Sequence, residues 1–60
     1  MSQREMMLRE QADILWRMAE GTETPVVRNE LRHLAAVCEA MIAEIRRRKS
    51  EADRTAQTAA

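Results

Sequence analysis

The 60-residue sequence has no phenylalanine and no tyrosine, and it has one tryptophan, one glycine, one proline and one cysteine. Each scarcity excludes something. Without aromatic or β-branched runs, and without the turn-formers that join short strands, a small β domain is ruled out and the chain reads as helical. Cys38 is the sole cysteine, so no internal disulfide can form, whereas secreted domains of this size are usually stapled by several. A cytoplasmic location is therefore expected. Long apolar runs are missing as well, because Arg9, Asp13 and Arg17 interrupt the first segment; neither a signal peptide nor a membrane span is expected. A helix lying on a membrane surface is disfavoured, since the apolar arcs carry no Phe and a single Trp.

An excess of one charge sign is also absent. Ten Lys plus Arg balance ten Asp plus Glu. The balance hides a split, with four basic and six acidic side chains in residues 1–30 and six basic and four acidic in 31–60. Folding back, or antiparallel self-association, would bring these halves together. A chain this short buries roughly 60% of its unfolded surface, too little for a self-contained catalytic pocket.

What is present begins with punctuation. Gly21 and Pro25 bracket the segment Glu20-Gly21-Thr22-Glu23-Thr24-Pro25. Gly21 suits the left-handed residue that closes a helix, Thr24 can accept from the free amides of a new one, and Pro25 fits its first position. Ser2-Gln3-Arg4-Glu5 has the capping-box spacing, with the Ser2 hydroxyl on the Glu5 amide and the Glu5 carboxylate reaching back. The spacing predicts a helical hairpin over 1–50: helix 1 at about 3–20, a turn at 21–24 and helix 2 at about 25–49. The segment 51–60 has no large apolar residue to dock and is expected to be a mobile tail. Glu5 to Arg9, Asp13 to Arg17 and Glu44 to Arg48 have the i, i+4 spacing of helix-supporting pairs.

The strongest pattern is the series Val27, Leu31, Leu34, Cys38, Met41 and Ile45, a heptad seam along helix 2. Ala35 and Ile42 flank it on one side, Val26 and Val37 on the other, so the apolar arc spans about 180°. In helix 1, Leu8, Ala12, Leu15 and Ala19 form the centre, Met7, Ile14 and Met18 one edge and Trp16 the other, an arc of about 200°. One neighbouring helix covers less than either arc. An all-α helical hairpin that dimerises into a four-helix bundle is the expected architecture, with a dimer core of Leu8, Leu15, Met18, Leu31, Leu34, Cys38, Met41, Ile42 and Ile45. In size and hairpin layout the chain resembles the small RNA-binding four-helix bundles of the Rop type, a likeness of architecture.

Catalytic candidates are thin. His33 lies about 140° around helix 2 from Cys38, so the two cannot pair as nucleophile and base within that helix. His33 reads as a solvated surface histidine and Cys38 as a small core hydrophobe. Metal binding would need further His or Cys on the His33 face, where one turn away stand Asn29, Glu30, Ala36 and Val37. No enzymatic activity, cofactor or metal is expected. Arg46, Arg47, Arg48 and Lys49 form a basic run that suits the helix C-terminus and could engage phosphate; Arg28 and Arg32 make a smaller basic patch, and Trp16 is a candidate partner anchor. The leading expectation is a non-enzymatic homodimeric interaction module, an adaptor, small chaperone or regulator that binds itself and another protein. The second is a nucleic-acid-binding regulator using the basic end of helix 2.

Overall fold

A computed structural model describes residues 2–59. Two helices, α1 (Gln3–Gly21) and α2 (Pro25–Ala59), pack as an antiparallel hairpin joined by residues 22–24. Ser2 opens α1 in an extended conformation, and its Oγ accepts from the Glu5 N–H at 3.1 Å. The same hydroxyl donates to Glu5 Oε1 at 3.3 Å, so the carboxylate reaches back to the Ser2 side chain.

The exit from α1 differs from the expectation. Gly21 has no left-handed φ; it is the last helical residue, and the chain leaves through Thr22 at φ −96° and ψ 129°. The Thr22 N–H donates to the Ala19 carbonyl at 3.4 Å, and its own carbonyl accepts from Arg28 Nη2 at 2.7 Å and Nε at 3.2 Å. Arg28 therefore ties the turn from the far side, which removes the need for a left-handed reversal. At the start of α2 the Thr24 carbonyl accepts from the Arg28 N–H at 2.9 Å, so it is the backbone and not the Thr24 hydroxyl that meets the first turn.

α2 also runs on to Ala59, ten residues past the expected end near Lys49. Residues 50–57 carry good helix formers and an unbroken backbone ladder, and the basic run before them is held by side-chain pairs that span the expected boundary: Arg47 reaches Glu51 at 2.6 Å. With 35 residues, α2 is about 52 Å long and sets the 55 Å long axis of the molecule, whose other extents are 18 and 10 Å. The last turns of α2 project beyond α1.

The seam between the helices is built from small residues. Ala12 and Ala19 of α1 and Ala35 and Ile42 of α2 are buried; Leu8, Leu15, Trp16, Leu31, Cys38 and Ile45 are half-buried. On α1 this is the seam read from the spacing. On α2 it is rotated: Leu31, Cys38 and Ile45 belong to it as expected, but Ala35 and Ile42 take the positions assigned to Leu34 and Met41. Alanines on both sides permit close approach of the backbones, and the larger Leu34 and Met41 are turned outward.

Candidate interaction surface

Polar side chains close one side of the seam. Glu5, buried at 4% exposure, accepts from Arg46 Nε at 3.3 Å across the hairpin. Desolvation pushes its carboxyl upward, but the Arg46 guanidinium and the Ser2 hydroxyl outweigh it and hold Glu5 below its ordinary value. Further along, the Trp16 indole N–H donates to Glu39 Oε1 at 3.2 Å, and Arg9 approaches Glu39 Oε2 at 3.7 Å. Glu5 and Arg9 thus do not pair with each other along α1 as their spacing suggested; each is drawn to a partner on α2. Trp16 is spent on an intramolecular contact, and Arg28 on the turn.

The opposite side of the seam is apolar and open. On α1, Met7, Ile14 and Met18 lie about 160–180° around the helix from Trp16 at 100° per residue. On α2, Val27, Leu34 and Met41 lie about 120–160° from Glu39. These six, with Val26 and Val37, are between 40% and 67% exposed. The exposed set includes Met18, Leu34 and Met41, three of the nine residues assigned to a dimer core, whereas Ile42 is already buried within the hairpin and the other five are half-buried there. Met6, 57% exposed, stands apart among Arg9, Glu10 and Asp13.

The basic run is largely neutralised where it stands. Arg46 bonds Glu5, Arg47 bonds Glu44 and Glu51, and Arg48 bonds Glu44 at 2.9 Å. The Arg47 and Arg48 guanidinium groups hold the Glu44 carboxyl down at about 2, and Glu44 in turn raises the Arg47 guanidinium above its ordinary value. Lys49 and Arg32 are exposed. Glu5, Arg46, Lys49, Ser50 and Asp53 line a shallow surface recess, in which carboxylates and cations alternate. His33 is exposed and Cys38 is a half-buried free thiol. Among the described residues no three His, Cys, Asp or Glu side chains gather in a metal-binding group, and no helix is long and apolar enough to cross a membrane. No family model, curated protein or solved structure matches the chain.

Proposed function

We propose that the chain is a non-enzymatic interaction module that works as a homodimer, its two hairpins sharing a core across the apolar face. The observation that carries this reading is the mismatch between what is buried and what is bare. Among the described residues the buried apolar side chains are three alanines and one isoleucine, with no large side chain fully enclosed, while nine large apolar residues stand at least 40% exposed. So thin a core does not offset the entropy of ordering nearly sixty residues.

Surface area supports the same reading. A compact monomer of 6.9 kDa exposes about 4,000 Å², and this chain exposes 4934 Å². Part of the excess belongs to the projecting end of α2; its size, about 900 Å², is close to the roughly 800 Å² that each partner contributes to a standard interface. The polar side of the hairpin, where Arg9, Trp16, Glu39 and Arg46 are bonded within the chain, would remain outside the dimer core.

Sedimentation equilibrium at micromolar concentration tests the proposal. The expected mass is about 13.8 kDa, twice 6.9 kDa. A folded 6.9 kDa species persisting there would overturn it. A salt-sensitive gel shift on DNA or RNA, lost when Arg46, Arg47, Arg48 and Lys49 are replaced together, would instead move the chain to the nucleic-acid-binding class.

A further inference from the structure

The open side of α2 carries a charge at each end of its apolar stripe, and the two charges are opposite. Glu30 and Arg48 are eighteen residues apart, five full turns, so they project in one direction from α2 at a separation of about 27 Å. Between them, within about 40° of the same line, lie Leu34, Val37 and Met41, which are 50%, 42% and 40% exposed. Arg4 of α1 reinforces the positive end, where it lines a recess with Met41, Glu44, Ile45 and Arg48. Glu44 lies there too and is bonded to Arg47 and Arg48 of the same chain, so this end stays positive through the surplus of Arg4, Arg47 and Arg48 over that one carboxylate.

An acid, an apolar stripe and a base along one line form a self-complementary pattern only when the line is reversed onto itself. Resting on the homodimer reading above, we infer that the open face closes on a second copy with the two α2 helices antiparallel. Glu30 of each chain then lies beside Arg48 of the partner subunit. In the reversed pairing the two-fold axis passes at the level of residue 39, the midpoint of 30 and 48, so Val37 lies at the level of Met41 of the partner subunit and the two apolar stripes overlap over residues 37–41. In the same-direction pairing, Arg4 and Arg48 would crowd their own copies at one end and Glu30 its own copy at the other, which like-charge repulsion opposes.

A double-mutant cycle on the dimer dissociation constant tests this in the full chain at 0.15 M salt. Glu30 and Arg48 are exposed in the single chain, and their 27 Å separation, about three Debye lengths at 0.15 M salt, leaves them uncoupled within one molecule. Any coupling must therefore act between molecules. Glu30→Arg and Arg48→Glu are each expected to weaken the dimer about fivefold, and the double variant, which restores both pairs in swapped form, to return within about twofold of the unsubstituted chain. Additive losses, or single variants without effect, would overturn the antiparallel arrangement while leaving the dimer standing. A folded monomer in the unsubstituted chain removes the dimer and this arrangement together.

Discussion

At the residue scale, Glu44 is a carboxylate held well below its ordinary value by two arginines of its own helix. Hydrogen bonds from Arg47 and Arg48 hold its carboxyl at about 2, against an ordinary 4.5. Because the folded-state value lies below the unfolded one, the stabilisation is present above about pH 4.5 and is lost as pH falls through about 2. Far-UV circular dichroism from pH 6 to pH 1.5 is expected to show helix loss across that window, and Glu44→Gln to flatten the curve. Trp16 gives a second handle. Its indole N–H is bonded to Glu39, so Trp16→Phe, which keeps a ring and removes the donor, is expected to cost about 1 kcal/mol in urea unfolding. The Trp16 to Glu39 bond was invisible in the sequence. The two residues are 23 positions apart, and helical spacing gives the face each occupies but not how far one helix slides along the other. Glu5 and Arg9 illustrate the same limit, since their i, i+4 spacing fits a pair that partners across the hairpin displace.

At the element scale, the hairpin, the start of each helix and the inner seam of α1 were readable from Ser2, Pro25 and the run Leu8, Ala12, Leu15, Ala19. The C-terminus of α1 was not, because a glycine near a helix end signals a left-handed cap only when nothing else ties the turn, and Arg28 does so here. That difference yields a prediction. Gly21 is helical, has no positive φ, and a Cβ added to it would meet nothing within 4 Å. Gly21→Ala should therefore stabilise the chain by about 0.5–1 kcal/mol, read as a higher urea midpoint; had Gly21 been left-handed the sign would be reversed. The far end of α2 differs from the expectation for a related reason. A segment without docking residues is still helical where propensity and the Arg47 to Glu51 pair carry the backbone onward. Deleting 51–60 is expected to lower the helical signal while leaving the unfolding free energy within about 0.5 kcal/mol, since residues 51–57 are exposed.

At the scale of the whole molecule, the rotated seam of α2 explains both the hairpin and the case for a second copy. An apolar arc of about 180° contains two overlapping heptad seams that share Leu31, Cys38 and Ile45. One adds Ala35 and Ile42 and faces α1; the other adds Leu34 and Met41 and faces outward. Heptad spacing favours the seam through Leu34 and Met41 and leaves Ala35 and Ile42 at its flank; the alanines at 12, 19 and 35 reverse that choice by letting the two backbones come close. If the outward seam is a second core, then similarly exposed apolar residues should respond differently to a charge. Leu34 is 50% exposed and Met6 57%, so judged by the single chain alone Leu34→Glu and Met6→Glu should be alike and nearly neutral. Met6 already sits among Arg9, Glu10 and Asp13, outside the open face. Met6→Glu is therefore expected to leave the melting temperature and its rise with protein concentration unchanged, whereas Leu34→Glu should raise the dimer dissociation constant at least about tenfold, or 1.4 kcal/mol, by burying an unpaired carboxylate between copies. Equal responses, measured by thermal melts over a hundredfold range of concentration, would mean that Leu34 meets only water.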